Sequence, residues 1–270
     1  MLKLTGIVSN KIWGYENWIA STHDNGLQED FLKALGGKYP LLIKVIQANE
    51  SLSVQVHPDD EWACKLEGEG SVGKTECWYV LQADKGAKLV YGLKGKHTRE
   101  DLESAINSNT LEKYLNQVQV HTGDFIFIPS GTVHAIGGGL RLLEVQQSCD
   151  ITYRLYDWGR PRELHVSKAL DVIKNTKLPK IQKFKNNFSC DYFSLSKISI
   201  KDSCSITCAS SEEKVLPKDF ELIFIIDGTV KAKSESGEEC VLEKEDIIAL
   251  HPEETVMFEG NAHAMYICSC

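Results

Sequence analysis

The sequence predicts a mostly β protein made of two β-domains, with a few short helices between the strands. Three observations support this fold class. Short runs rich in β-branched and aromatic side chains recur along most of the 270-residue chain. Gly, Pro and Asp punctuate these runs at short intervals, as they do in barrels and sandwiches. One stretch rich in Lys and Asn, residues 174–187, interrupts the strand pattern and is typical of a linker.

The predicted strands form two series, one on each side of that linker. Residues 52–57 alternate most clearly between two faces, and Pro58 ends the run. The first series comprises residues 41–46, 52–57, 77–81, 86–91, 118–120, 125–128, 140–145 and 151–156. The second series comprises residues 193–200, 221–226, 230–233, 240–242, 247–250, 256–258 and 264–267.

Three helices are predicted within the first series. Residues 29–35 form one candidate. Residues 98–115 form a stronger one, because Thr98 can cap it and acidic residues occupy its first turn. Ser167 can cap a third helix, whose apolar residues lie at 169–173.

The linker divides the chain into two predicted domains. Residues 1–175 form the larger domain, with a helical insertion around 98–115. Residues 188–270 form a smaller C-terminal β-domain. A chain of 270 residues is long enough for each part to bury a core.

The charge balance argues against nucleic acid as a partner. The chain has 30 Lys and Arg against 38 Asp and Glu, a net charge of −8. Nucleic-acid binding needs dense positive charge to meet phosphates. A few well-placed cations can still hold one small anion in an acidic protein.

The cysteines favour a reducing compartment. There are nine, an odd number, and they form no Cys-x-x-Cys pair that would support a four-thiolate zinc site. The N-terminal residues lack the apolar stretch of a signal peptide, and no apolar run approaches the ~20 residues that span a bilayer. We therefore expect a cytoplasmic protein with free thiols and no membrane partner.

Four side chains are candidates for a metal site. Gln55 and His57 are two residues apart on one predicted strand, so they project from the same face. Glu76 heads another apolar run, and His134 follows a turn after a third. Two imidazoles, a carboxylate and an amide oxygen suit zinc or a related divalent metal. Spacing alone is equally compatible with surface or hydrogen-bonded histidines.

A longer motif resembles a known superfamily. Residues 123–134 read Gly-Asp-Phe-Ile-Phe-Ile-Pro-Ser-Gly-Thr-Val-His, which is similar to the second cupin motif. Its first motif usually begins His-x-His, whereas this chain has Gln55-Val56-His57. That departure resembles the type I mannose-6-phosphate (phosphomannose) isomerases. Further segments similar to that family lie at residues 12–14, 52–60, 74–79, 129–136 and 144–160.

The resemblance implies a cupin (jelly-roll) β-barrel as the catalytic domain and a cupin-like C-terminal domain, in the compact bacterial form of the family. It implies one Zn²⁺ per chain, bound by Gln55, His57, Glu76 and His134. The implied reaction interconverts mannose 6-phosphate and fructose 6-phosphate through a cis-enediol, so the partner is a phosphorylated hexose. Arg154 is implied as catalytic, with Lys74 and Glu144 in the same pocket.

Several alternatives stay open at the level of the sequence. Arg154 could instead form a structural salt bridge with Asp150 or Asp157, and Lys74 could be a solvated surface residue. Glu144 could shuttle the proton or orient a neighbour. The rival functions are another cupin metalloenzyme and a non-catalytic sugar-phosphate-binding protein. The sequence does not distinguish a monomer from a dimer.

Overall fold

The computed structural model describes residues 1–208 and 215–270, and these residues are mostly β. The strands are β1 (Leu2–Leu4), β2 (Ile7–Lys11), β3 (Gly14–Ala20), β4 (Leu41–Ala48), β5 (Val54–Val56), β6 (Glu76–Ala83), β7 (Lys88–Leu93), β8 (Leu115–Gln119), β9 (Asp124–Ile128), β10 (His134–Ile136), β11 (Leu140–Gln147), β12 (Tyr153–Tyr156), β13 (Gln182–Lys183), β14 (Asn187–Ser189), β15 (Phe193–Ile200), β16 (Ser203–Thr207), β17 (Glu221–Ser234), β18 (Glu239–Leu242), β19 (Ile247–Leu250) and β20 (Thr255–Ser269). The predicted all-β fold with helical insertions is confirmed.

The α-helices in these ranges are α1 (Glu29–Leu35), α2 (Asp60–Glu67), α3 (Arg99–Asn107) and α4 (Val166–Val172), and short 3₁₀ turns occur at Asp24–Gly26, Leu111–Tyr114 and Pro217–Asp219. None of the described helices has the length and apolar character that crossing a membrane requires.

The predicted helix over 98–115 is wrong in its second half. Thr98 caps it as predicted, accepting a hydrogen bond from the Asp101 amide. The helix then ends at Asn107, because the Ser108 hydroxyl donates to the Ser104 carbonyl at 2.7 Å and Asn109 adopts a left-handed φ of 55°. Residues 111–114 form a 3₁₀ turn, and Leu115 begins β8.

Two other helices differ from the prediction. The helix expected to follow a Ser167 cap begins at Val166, with His165 in the capping position. His165 provides no side-chain cap, because its Nδ1 accepts from the Arg154 amide. Helix α2 was not predicted, although Asp59 caps it by accepting from the Trp62 amide at 2.9 Å.

By the density of its internal contacts, the chain divides into two compact units. One unit comprises residues 9–16 and 46–183, and the other comprises residues 1–8, 17–45 and 184–270. The division points fall within β2, β3 and β4. The domain boundaries inferred from the sequence, 1–175 and 188–270, remain a prediction about folding units, and this division groups the N-terminal residues differently.

The unit built around residues 46–183 holds two antiparallel sheets. One has the strand order β12-β5-β10-β7-β8, and the other includes the path β13-β9-β6-β11. A buried cluster takes Leu89, Tyr91 and Ile136 from the first sheet and Trp78 and Leu142 from the second, so it fills the space between them.

The opposite face of the first sheet packs on helices. Val54, Val56 and Ala135 are buried there with Leu102 of α3 and Leu170 of α4. Since side chains alternate along a strand, the residues between them face the inner space. Gln55 and His134 therefore point inward.

The other unit carries a sheet with the order β1-β19-β17-β20-β15-β14, in which β16 also pairs with β20 and β18 with β17. Strand β17 pairs with β20 along most of its length, with one register shift between Ile225 and Asp227. The buried side chains of this unit include Ile223, Ile248 and Phe258.

Candidate metal centre

Strand register brings the predicted metal ligands together. His134 lies directly opposite Gln55 between β10 and β5, so their side chains share the inner face. Glu76 begins β6 on the facing sheet, and His57 follows β5 directly. His57, Glu76 and His134 are all buried, and one ligand atom from each lies within 4.8 Å of the others.

The spacing of these atoms suits a small divalent cation. His134 Nε2 lies 3.3 Å from Glu76 Oε1, and His57 Nε2 lies 3.7 Å from Glu76 Oε2. Tetrahedral bonds of about 2.0–2.2 Å separate neighbouring ligand atoms by roughly 3.4 Å. The three side chains could therefore hold one metal ion after small shifts.

Main-chain carbonyls fix both imidazole tautomers. His57 Nδ1 lies 2.8 Å from the Ile151 carbonyl, and His134 Nδ1 lies 2.9 Å from the Thr132 carbonyl. A carbonyl oxygen only accepts, so each Nδ1 carries the proton and each Nε2 keeps its lone pair. Burial lowers the pKa of His134 to about 4, which keeps the ring neutral at pH 7. Such a carbonyl behind the ring is the usual support of a metal-binding histidine.

Gln55 completes the predicted ligand set. Its amide nitrogen lies 3.3 Å from His134 Nε2, where it can donate to the ring lone pair. The amide oxygen and nitrogen exchange places when the terminal torsion turns by half a rotation, which brings the oxygen to this position. The donor set of two imidazoles, one carboxylate and one amide thus fits a metal such as zinc.

Lys74 is part of the same cluster. Its side chain is 5% exposed, and Nζ lies 2.9 Å from Glu76 Oε2 and 3.2 Å from His57 Nε2. Burial alone would lower the pKa of Lys74, but the carboxylates of Glu76 and Glu144 outweigh burial and hold the pKa above its ordinary value. The ammonium therefore stays charged, and the solvated alternative for Lys74 is wrong.

Trp78 connects Glu144 to the candidate metal site, because it contacts both Glu144 and His134. The two residues lie opposite each other between β11 and β6, and Trp78 Nε1 donates to Glu144 Oε2 at 2.8 Å. Trp78 also packs its edge against the His134 ring, with centroids 5.4 Å apart. Glu144 is 3% exposed, so this carboxylate lies in the interior near the Lys74 charge.

Arg154 is placed by register. It lies opposite Gln55 between β12 and β5, so Arg154, Gln55 and His134 follow one another across three strands. Its Nη1 donates to the Glu163 carbonyl at 2.7 Å. Burial, followed by the nearby Arg162 charge, lowers the pKa of Arg154, so a neighbouring anion would be favourable.

Two further arginines were missed at the level of the sequence. Arg160 and Arg162 both donate to the buried Asp157 carboxylate, at 2.7 Å and 2.5 Å. Asp157 thus binds these arginines, and the proposed salt bridge between it and Arg154 is not formed. The signal was the Arg-Pro-Arg triplet at 160–162, which concentrates positive charge six to eight residues after Arg154.

The turn that carries these arginines is strained. Trp158 has a φ of 55°, which is rare for a bulky residue. Its indole donates to the Leu52 carbonyl at 2.6 Å, and Arg160 donates to the Ser51 carbonyl at 2.7 Å. These bonds to the segment before β5 hold the turn beside the strand that supplies Gln55.

Asp157→Asn is expected to lower the free energy of unfolding by about 2 kcal/mol at pH 7, because two charge-assisted pairs lose their acceptor charge. Burial alone would raise the pKa of Asp157, but hydrogen bonds from Arg162 and Arg160 hold it below its ordinary value of 3.8. The folded carboxylate keeps its charge to lower pH than the unfolded one. The stability that it contributes is present at neutral pH and is lost as the pH falls below about 4.

Urea denaturation at pH 7 and pH 3 measures this effect. The difference in the free energy of unfolding between the wild type and Asp157→Asn should be smaller at pH 3 than at pH 7. Asp171→Asn is the control, because Asp171 pairs with Arg99 at an exposed position and should change stability by less than about 0.5 kcal/mol. An equal loss at both pH values would contradict the expected titration.

Comparisons with known proteins show which family this chain resembles. The model of the phosphomannose isomerase type I catalytic domain matches residues 2–85. The chain is 42% identical over 184 residues to mannose-6-phosphate isomerase of Streptococcus mutans, covering 58% of this chain and 57% of that protein. It is 39% identical over 209 residues to mannose-6-phosphate isomerase ManA of Bacillus subtilis, covering 72% of this chain and 63% of that protein.

The matched region therefore spans about three-fifths of the length of these curated relatives. A crystal structure of mannose 6-phosphate isomerase from Bacillus subtilis superposes with a TM-score of 0.83 at 27% identity, covering 98% of each chain. The family model, the curated relatives and the shared fold all point the same way, and the chain belongs to the type I phosphomannose isomerase family.

Proposed function

We propose that this protein is a zinc-dependent aldose–ketose isomerase that interconverts mannose 6-phosphate and fructose 6-phosphate. The observation that carries the proposal is the buried cluster in which a lysine ammonium contacts the carboxylate and one imidazole of a metal-binding group. Relatives named mannose-6-phosphate isomerase support the choice of substrate.

Gln55, His57, Glu76 and His134 would hold the zinc ion. When bound, zinc would supply a Lewis acid that stabilises the negative charge developing on the substrate. The lone pairs of both imidazoles are already directed by the carbonyls behind them, so the protein pre-organises this centre.

The reaction requires a proton carrier between two carbon atoms. A base removes the proton from C2 of mannose 6-phosphate and O1 takes up a proton, so the C1 carbonyl becomes a hydroxyl and a cis-enediol forms. The O2 hydroxyl then gives up its proton, which balances the one that O1 gained, and return of the carbon-bound proton to C1 leaves the C2 ketone. Glu144 is the candidate carrier, because it is a buried carboxylate beside the cluster. Lys74 is the candidate stabiliser of the enediolate, since it stays protonated.

The phosphate needs cations at a distance from the reacting carbons. Arg154 shares the inner face with Gln55, and Arg160 and Arg162 add two more guanidinium groups nearby. A guanidinium can bond two phosphate oxygens at once. Arg154 would then either clamp the phosphate or stabilise the enediolate, according to how the sugar lies in the pocket.

Chelation tests this proposal directly. We expect the purified protein to isomerise mannose 6-phosphate, to lose the activity on dialysis against a chelator and to regain it with zinc. Metal content is measured alongside turnover by atomic emission. Turnover unchanged after complete metal removal would contradict zinc dependence. Zinc binding without turnover would favour the second candidate, a sugar-phosphate-binding protein.

We also propose a reducing compartment, the cytoplasm, as the place of action. All nine cysteines are free thiols in the structure, which is typical of proteins that are kept reduced.

A further inference from the structure

A cavity with a mixed polar and apolar lining lies in the unit that contains the metal centre. Its volume is about 610 Å³, within the range of small-molecule sites. Strands β7 and β8, the turn before β10 and residues 173–181 line it. None of the seven site residues named above lines it.

The charge of this cavity is opposite to that of the whole chain. Four lysines line it: Lys96, Lys174, Lys177 and Lys180. None of the described residues that line it is an Asp or a Glu, although the chain has a net charge of −8. Lys174 is paired with Asp59 at 2.6 Å, whereas the other three lysines form no ion pair with any described residue.

Packing contacts hold in place the segment that carries Lys174, Lys177 and Lys180. Leu178 and Ile181 pack against the inner core, and Ile173 packs against the helical side. Leu178 also lies so close to Gly92, whose φ is 77°, that a Cβ there would meet it at 2.7 Å. The Lys174 amide donates to the Gly131 carbonyl at 2.9 Å.

A buried hydroxyl supplies a second, independent sign of a ligand. Thr132 lines the cavity and is 3% exposed, and its hydroxyl makes no hydrogen bond with any described residue. Native proteins rarely bury a hydroxyl without a partner. The exposed area of the hydroxyl oxygen is below 1 Å², so an anion in the cavity would accept its proton after the Thr132 side chain turns. The anion would also balance the three unpaired ammonium groups.

We propose that this cavity binds a small organic phosphate at a site separate from the metal centre. Lysines act as point charges for a dianionic phosphate, and the Thr132 hydroxyl donates to it. The apolar lining, which includes Val118 and Leu178, accommodates the carbon portion of the ligand. The proposal does not depend on the isomerase activity.

Titration calorimetry with glycerol 2-phosphate tests the site. This probe is a phosphomonoester that cannot be isomerised. The metal-loaded full chain carries Arg154→Ala in every sample, which removes one of the cations that could bind a phosphate near the metal centre. We expect Lys177→Glu combined with Lys180→Glu to raise Kd at least tenfold. Thr132→Val, which keeps the main-chain carbonyl that His134 needs, should raise Kd several-fold.

The matched control combines Lys85→Glu with Lys201→Glu, two exposed lysines that do not line the cavity. It changes the net charge by the same amount and should alter Kd less than twofold. Two results would overturn the proposal: absence of binding in the Arg154→Ala background, or the same Kd in the cavity variant as in the control variant. An unchanged Kd in Thr132→Val would overturn the assigned donor and with it the site as described.

Discussion

Glu76→Gln is expected to lower metal occupancy to near zero and isomerase turnover by about a thousandfold. The substitution keeps the shape of the side chain but removes the one carboxylate in the ligand group. It also takes the counter-charge from Lys74, whose Nζ lies 2.9 Å away in the interior. Loss of a group that stabilises charge in the transition state lowers turnover by about 10²–10³, and the metal would be such a group. The misplaced Lys74 ammonium adds to the loss.

The buried ammonium requires a second variant to separate metal loss from unfolding. Removing one partner of a buried ion pair destabilises a protein by about 3–5 kcal/mol. Lys74→Met combined with Glu76→Gln removes both charges, so it should regain most of that stability and still bind no zinc. Metal content and thermal unfolding are measured on the single and the double variant.

The control for both is Glu103→Gln, which removes a carboxylate from the exposed face of α3. It should retain full zinc content and full turnover. Full zinc occupancy with wild-type turnover in Glu76→Gln would show that the metal centre lies elsewhere.

Arg154→Ala is expected to lower kcat/KM for mannose 6-phosphate by about 10²–10³ while zinc content stays at one per chain. The hydrogen bonds of Arg154 go to His165 and the Glu163 carbonyl rather than to a predicted ligand side chain, and its place opposite Gln55 depends on the backbone of β12 and β5. The metal centre should therefore survive the substitution. The loss arises because the anionic substrate no longer meets a guanidinium that can bond two oxygens.

Arg154→Lys distinguishes the two roles of the guanidinium. If Arg154 clamps the phosphate, Arg154→Lys should have a KM closer to the wild-type value than Arg154→Ala has. If Arg154 stabilises the enediolate, kcat should stay low in Arg154→Lys. Arg99→Ala is the control, because Arg99 pairs with Asp171 at the exposed end of α3. A kcat/KM near the wild-type value in Arg154→Ala would contradict any role for Arg154 in the reaction.

The sequence indicated which side chains gather at the candidate metal site better than it indicated the groups around them. Gln55 and His57 could be predicted because strand alternation fixes which side chains share a face. The cupin-like motif identified His134 as a candidate ligand, and the structure adds that His134 pairs directly with Gln55. The carbonyls of Ile151 and Thr132 behind the imidazoles could not be predicted, since the main chain of any residue could fill that role.

The end of helix α3 also could not be predicted from the sequence. The helical period continues past Asn107 into Leu111 and Leu115, so the pattern alone extends α3 too far. A single hydroxyl at Ser108 and a left-handed residue at Asn109 end it. Likewise, the partner of Asp157 depended on which of three nearby arginines the turn at Trp158 brings close, and that geometry has no linear signal.

The row of Arg154, Gln55 and His134 across three strands also bears on how the protein folds. In the sequence, His134 lies 79 positions after Gln55 and Arg154 lies 99 positions after it. The row therefore forms only after long loops have closed. A slip of one residue in β5 would turn Gln55 to the helical side and disperse the cluster. Binding of zinc by a refolding chain would thus indicate that the sheet has reached its correct register. The rate of metal uptake during refolding would then measure the rate of the slowest strand pairing.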